Sequence, residues 1–170
     1  MKKNIVLIGF MGTGKTSVGK ILARRLKKTV RDVDEFIEAK EKRSIRDIFE
    51  KDGEVYFRRA EKEAVQALAR EENVVITTGG GVVLDPENTK VLSENGWIVA
   101  LHASPETIFR RVKHSRKRPL LQDGDMLSEI KKLLEARRPF YRRADFSLDT
   151  DGKNAAQVTD RILSALREKV

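Results

Sequence analysis

Near its start, the chain passes from an apolar segment through a glycine-rich loop into an amphipathic segment. Residues 4–8 form an apolar run of the kind found in buried parallel strands, and the run ends at Gly9. From Ser17 onward, apolar residues recur at helical spacing: Val18, Ile21, Leu22 and Leu26. Residues 9–16 between them read GFMGTGKT, which matches the phosphate-loop pattern G-x-x-x-x-G-K-[ST] in full. The order strand, loop, helix predicts an α/β fold that holds a phosphate at the edge of its sheet.

The residue types in this loop suit a phosphorylated nucleotide. Glycines let the backbone turn tightly and aim its N–H groups inward, and the start of the following helix adds partial positive charge. Lys15 can reach the β- and γ-phosphates, and the Thr16 hydroxyl can bind Mg²⁺. The alternative is a glycine-rich turn that binds nothing, which the flanking strand and helix disfavour.

Strands and helices alternate along the rest of the chain. Further strands are predicted at 29–33, 74–77, 97–102 and 146–149. Helices are predicted at 35–42, 45–51, 55–69, 86–95, 105–113, 126–141 and 155–169. This alternation is typical of a three-layer fold in which about five parallel strands are covered by helices on both faces. No repeat or linker divides the sequence, so residues 1–170 are predicted to form one domain.

The composition of the chain limits the classes of function that it can have. The chain has no Cys and two His, which excludes a disulfide framework, a cysteine nucleophile and a zinc–cysteine cluster, and is compatible with a reducing cytoplasm. The net charge of +9 suits either nucleic acid or a small anionic substrate such as ATP. The guanine-reading N-K-x-D tetrapeptide of GTPases is absent, and motors and translocases normally need a longer chain. These observations favour a small-molecule kinase. We further expect a cytoplasmic monomer with no nucleic-acid or membrane partner.

Two aspartates follow the predicted second strand, at the sheet edge where α/β proteins bind ligands. Alternation along an extended strand would place Asp32 and Asp34 on the same side. One could support hydrated Mg²⁺ while the other accepts the proton of a substrate hydroxyl. The alternative is a solvated turn or helix start, where Asp is common.

An arginine and a triple glycine mark a second candidate region. Arg58 precedes Glu61 by three residues, so the pair is either a carboxylate clamp held by an acid or an ordinary surface ion pair. The glycines at 79–81 follow an apolar strand, and three in a row allow the backbone to approach a ligand closely. A ligand-contacting loop explains them better than a plain turn.

Taken together, these blocks resemble the shikimate kinases, a P-loop kinase family related to the nucleoside monophosphate kinases. GFMGTGKT is followed by Asp-x-Asp at 32–34, and IFEKDGEVYFRRAE at 48–61 is similar to the family's I-F-x-x-x-G-E-x-x-F-R-x-x-E. VVITTGGG at 74–81 resembles the family's apolar-T-G-G-G, which stands in place of a standard Walker B motif. RPLL at 118–121 and ARRPFYRRAD at 136–145 resemble the family's lid arginine and its helix R-x-P-x-Y.

The resemblance implies transfer of the ATP γ-phosphate to shikimate with Mg²⁺, in the route to chorismate and the aromatic amino acids. It implies that the catalytic residues are Lys15, Asp34 and Arg118. It implies that ATP is bound by Gly12, Thr13, Gly14, Lys15, Thr16, Ser17, Arg111, Arg118 and Lys153, and the metal by Thr16 and Asp32. It implies that shikimate is bound by Asp34, Arg58, Glu61, Gly79, Gly80, Gly81 and Arg137, with acceptor-binding helices at about 35–61.

Two parts of the sequence leave choices open. DTDGKNAAQ at 149–157 departs from the family's adenine loop, so Lys153 is a candidate contact only. Arg137 is preferred to Arg138 because it lies two residues before Pro139. The polar, basic segment 113–125 is predicted to be a mobile lid that brings Arg118 to the γ-phosphate. The competing functions are a P-loop kinase for another acid, such as gluconate, and a catalytically silent nucleotide-binding or nucleic-acid module.

Overall fold

A computed structural model describes residues 2–113 and 125–168 of the chain. Its strands are β1 (Asn4–Gly9), β2 (Thr29–Asp32), β3 (Val74–Thr77), β4 (Gly96–His102) and β5 (Phe146–Asp149). Its helices are α1 (Lys15–Leu26), α2 (Val33–Glu41), α3 (Ile45–Ala69), α4 (Pro86–Asn95), α5 (Pro105–Val112), α6 (Met126–Tyr141) and α7 (Ala155–Arg167). The predicted lid at 113–125, including Arg118, falls outside the described residues apart from its two end residues. No helix in the described part of the chain is long and apolar enough to cross a membrane.

The strands form one parallel sheet in the order β2-β3-β1-β4-β5, which confirms the predicted fold class. Strand β1 is central, and its residues alternate between two cores. Val6 and Ile8 pack in one core, and Ile5 and Leu7 pack in the other. A continuous apolar run is needed here because helices cover both faces of the sheet. The loop after β1 therefore lies at the middle of the carboxyl edge, between the loops that follow β3 and β4.

The start of α2 differs from the prediction. The second strand ends at Asp32, and the helix begins at Val33 rather than at residue 35. Asp32 causes this early start, because its side chain caps the helix by accepting a hydrogen bond from the Glu35 N–H at 3.0 Å. Asp34 consequently lies in the first turn of α2. The alternation argument for placing Asp32 and Asp34 together was wrong, since Asp34 is not on an extended strand.

The two helices predicted on either side of Gly53 are present as one element with a break. Helix α3 starts with a capping box formed by Ser44 and Asp47. Gly53 then interrupts it with φ 79° and ψ 177°, a conformation that favours glycine. The break redirects the second half of α3, which carries Arg58 and Glu61.

Candidate active site

The phosphate loop wraps around the side chain of its own lysine. Gly12 and Gly14 have φ values of 75° and 93°, which L-residues with side chains rarely adopt. Lys15 is buried, and its Nζ donates hydrogen bonds to the carbonyls of Gly9 at 2.8 Å and Phe10 at 2.9 Å. Its ammonium group is thus held against the loop, at the amino end of α1, where backbone N–H groups and a positive charge together favour an anion.

The loop, the two aspartates and the glycine segment line one polar pocket of about 300 Å³. Its walls are formed by Gly12, Gly14, Lys15, Thr16, Ser17, Asp32, Asp34, Thr78, Gly79, Gly80 and Arg111. Residues from the carboxyl ends of β1, β2 and β3 meet here because neighbouring parallel strands end at the same edge. The pocket therefore joins the predicted phosphate site to the predicted acceptor side.

Each glycine of the triple-glycine segment makes room for a charged side chain. A β-carbon on Gly79 would lie 3.2 Å from Asp34 Oδ1, and one on Gly80 would lie 3.3 Å from Arg137 Nη1. A β-carbon on Gly81 would lie only 2.5 Å from Arg58 Nη1. The three glycines thus bring two guanidinium groups and a carboxylate against bare backbone, next to the pocket wall formed by Gly79 and Gly80.

Arg58 is held by two carboxylates. Its Nη1 donates to Glu61 Oε1 at 2.8 Å, and its Nη2 donates to Glu54 Oε1 at 3.2 Å. Glu61 is 1% exposed, whereas the Glu54 side chain is 56% exposed. Burial raises the pKa of Glu61 to about 7, with Arg58 and Arg137 opposing the rise and Asp34 adding to it. The arginine is therefore preorganised, and it rests on an acid whose charge is sensitive to pH.

Arg137 and its neighbour Arg138 have different surroundings. Arg137 is 6% exposed, and its guanidinium lies 5.4 Å from the ring centroid of Phe10. The Arg138 side chain is 58% exposed and pairs with Glu135. Only the first of the two therefore lies beside Gly80.

Tyr141, one helical turn after Arg137, also contacts the glycine segment. Its hydroxyl donates to the Gly80 carbonyl at 2.9 Å. Burial raises the pKa of this hydroxyl to about 12, so it remains a donor at neutral pH, although Arg137 lowers that pKa. Tyr141 thus fixes the peptide against which Arg137 packs.

A second depression of about 230 Å³ adjoins the first at Gly14, Ser17 and Arg111, and Lys153 lines it as well. Arg111 Nη1 donates to the Gly12 carbonyl at 2.9 Å and to Thr150 Oγ1 at 3.2 Å. The depression is lined by Thr13, Gly14, Ser17, Val18, Arg111, Thr150, Lys153, Ala155 and Val158. Arg111 therefore links the phosphate loop to the loop between β5 and α7, and it lines the same depression as Lys153, the candidate adenine contact.

The predicted metal residues suit Mg²⁺, which prefers oxygen ligands and needs few from the protein when phosphates and waters supply the rest. Thr16 is exposed in the first turn of α1, and Asp32 lines the same pocket. The described residues contain no group of three or more acidic, His or Cys side chains that could hold a metal alone. Both residues thus fit an ion held mainly by a nucleotide.

Four contacts around the site were absent from the sequence reasoning. Tyr141, Phe10 and Glu54 contact the predicted ligand-binding groups, and Thr77 donates to Asp32 Oδ2 at 2.6 Å. Spacing offered a signal for two of them, because Tyr141 lies four residues after Arg137 and Glu54 four residues before Arg58. The sequence offered no such signal for Phe10 or Thr77, because their partners are distant in the chain and only the fold brings them into contact.

Comparisons with known proteins converge on one family. The family model described as Shikimate kinase matches residues 11–167. A shikimate kinase from Pelotomaculum thermopropionicum is 49% identical over 166 residues, covering 98% of this chain and 96% of that protein. One from Caldicellulosiruptor saccharolyticus is 48% identical over 162 residues, covering 95% and 94%.

A solved structure agrees with these relatives. The shikimate kinase from Acinetobacter baumannii in complex with shikimate superposes with a TM-score of 0.96 at 35% identity. The match covers 99% of this chain and 95% of that one. The similarity extends over the sheet, the phosphate loop and the acceptor side alike.

Proposed function

The chain belongs to the shikimate kinase family, and on that premise we propose that its site transfers the γ-phosphoryl group of ATP to the 3-hydroxyl of shikimate. The products are shikimate 3-phosphate and ADP, and the former feeds the synthesis of chorismate and the aromatic amino acids. The observation that carries the proposal is the pocket in which the phosphate loop faces Asp34 and the glycine segment, with Arg58 and Arg137 packed on that segment.

The nucleotide side positions the leaving phosphate. Backbone N–H groups of residues 12–17 and the amino end of α1 bind the β- and γ-phosphates, and Lys15 neutralises charge on them. Thr16 and Asp32 would hold Mg²⁺, which would supply positive charge to the phosphates of the nucleotide. Arg111 and Lys153 flank the base from the second depression.

The acceptor side orients shikimate. Arg58 and Arg137 bind its carboxylate, because each presents a planar guanidinium suited to two-point binding. Glu61 keeps Arg58 in place, and the backbone at Gly79–Gly81 allows the ring to approach. Two arginines against bare backbone favour a small planar carboxylate over an extended neutral sugar.

Asp34 acts at the reacting hydroxyl. The hydroxyl oxygen attacks the γ-phosphorus, the bond to the β–γ bridging oxygen breaks, and the proton passes to the Asp34 carboxylate. The negative charge that leaves on ADP is met by Lys15 and the loop N–H groups. Because Arg118 resembles the family's lid arginine, it would add a further positive charge at the γ-phosphate. This role remains a prediction.

A coupled ADP-release assay tests the proposal. Turnover should require both shikimate and Mg²⁺, and Lys15→Met should abolish it because the ammonium no longer neutralises the transferring group. Gluconate and a nucleoside monophosphate serve as competing acceptors. Faster turnover with either of them, and none with shikimate, would overturn the assignment.

A further inference from the structure

We propose that Thr77 is a positioning residue for phosphoryl transfer, which aims the carboxylate of Asp32 at the metal and, through Asp32, fixes the helix turn that carries Asp34. The proposal rests on the proposed function, since it assigns a part of the same site. Thr77 precedes the T-G-G-G segment and does not line the pocket itself. Any effect on the reaction must therefore pass through another side chain.

Thr77 and Asp32 lie side by side at the ends of adjacent parallel strands. They are register partners on β3 and β2, so their side chains project to the same face of the sheet. Thr77 is 2% exposed, and its hydroxyl donates to Asp32 Oδ2 at 2.6 Å, the short distance of a bond from a hydroxyl to a carboxylate. A buried hydroxyl thus holds the side chain of Asp32, the acid at the end of β2 that is predicted to bind the metal.

The methyl group of Thr77 decides where its hydroxyl points. A β-carbon on Gly19 of α1 would lie 2.5 Å from the Thr77 methyl carbon, so only glycine permits this packing. Gly19 has no positive φ, and glycine within a helix costs about 1 kcal/mol relative to Ala, so the close contact is the feature that requires it. Because a β-branched side chain is stiff at χ1, seating the methyl on Gly19 directs the hydroxyl to Asp32.

Asp32 passes this constraint on to α2. While Oδ2 accepts from Thr77, Oδ1 accepts from the Glu35 N–H and caps the helix. Both oxygens are therefore fixed, and each keeps a second lone pair for a hydrated cation. Asp34 lies within the capped turn. Loss of the Thr77 hydroxyl would let Asp32 rotate, which weakens the metal site and the cap together.

Two substitutions at Thr77 test the roles of its hydroxyl and its methyl group separately. Thr77→Val keeps the shape and removes the donor, whereas Thr77→Ser keeps the donor. We expect Thr77→Val to lower kcat and the Mg²⁺-dependent gain in ADP affinity, measured by calorimetry, by about 10–100-fold, the usual effect of losing a group that orients a metal ligand. ADP affinity without Mg²⁺ should be unchanged. Thr77→Ser keeps the hydroxyl but loses the methyl that orients it, so it should be less impaired than Thr77→Val in both measurements.

A second pair tests the packing on Gly19. Gly19→Ala places a β-carbon on the Thr77 methyl and should lower both the melting temperature and the Mg²⁺-dependent ADP affinity. Adding Thr77→Ser removes that methyl and should restore most of both losses. Thr159→Val is the matched control, because Thr159 is fully buried and its hydroxyl donates to the Ala155 carbonyl of α7. It should lower stability without changing the response to Mg²⁺.

Three results would overturn the proposal. In the first, Thr77→Val loses stability but keeps the wild-type kcat and Mg²⁺ response. In the second, Thr77→Ser is as impaired as Thr77→Val. In the third, adding Thr77→Ser to Gly19→Ala does not restore the lost stability and Mg²⁺ response. If the wild-type protein does not phosphorylate shikimate, the proposed function fails, while the calorimetric and melting measurements still decide the role of Thr77.

Discussion

Replacing Glu61 by Gln should remove a pH-dependent loss of stability from the protein. Burial raises the pKa of this carboxyl from 4.5 to about 7, against the pull of Arg58 and Arg137. Between these two values the folded state keeps the Glu61 proton and the unfolded state does not. The free energy of unfolding of the wild type should therefore fall as pH rises through this window. A glutamine side chain cannot ionise, so the Glu61→Gln variant should lack this component.

The size of the effect follows from the shift. One pKa unit corresponds to about 1.4 kcal/mol, so the displacement of Glu61 corresponds to about 3 kcal/mol across the window. For a chain of this length that equals roughly 10 °C in melting temperature. Relative to Glu61→Gln, the wild type should lose this amount as the pH rises from 4.5 to about 7.

Differential scanning calorimetry of the wild type and Glu61→Gln at several pH values measures the gap in stability between them. Glu54→Gln is the control, because it removes the other, exposed carboxylate from the same Arg58 and should keep the wild-type pH response. A gap between wild type and Glu61→Gln that stays constant with pH would refute the reasoning. It would mean that the ion pair with Arg58 at 2.8 Å fully offsets the effect of burial on the pKa of Glu61.

Three further substitutions, one of them with a matched control, test the acceptor side by steady-state kinetics. Asp34→Asn keeps the shape and removes the proton acceptor, so kcat should fall by about 10²–10⁴-fold, and a wild-type kcat would exclude Asp34 as the base. Arg137→Ala should raise KM for shikimate by at least about tenfold with KM for ATP unchanged, whereas the exposed Arg138→Ala should resemble the wild type. Equal effects of these two would contradict the assignment. Gly81→Ala places a β-carbon 2.5 Å from Arg58 and should also raise KM for shikimate, and an unchanged KM would show that this close contact is not required.

Most of the fold could be predicted because its signals are local. The apolar run of β1 and the amphipathic pattern of α1 bracket the phosphate loop, as predicted. The predicted break at Gly53 is also present. The strand ending at Asp32 was placed one residue too long, because a capping side chain competes there with strand pairing.

By itself, the sequence determined the parallel strands, the family and the set of residue types from which the site is built, whereas the strand order came from the structure. Tertiary structure alone decided which atoms meet: that Glu61 is buried beside Asp34, that the Thr77 methyl seats on Gly19, and that Arg137 faces the glycine segment. Helix and strand patterns depend on neighbours a few residues apart, and a linear pattern records them. Burial, pKa and side-chain contact depend on segments brought together across the sheet, and only the folded chain sets those distances.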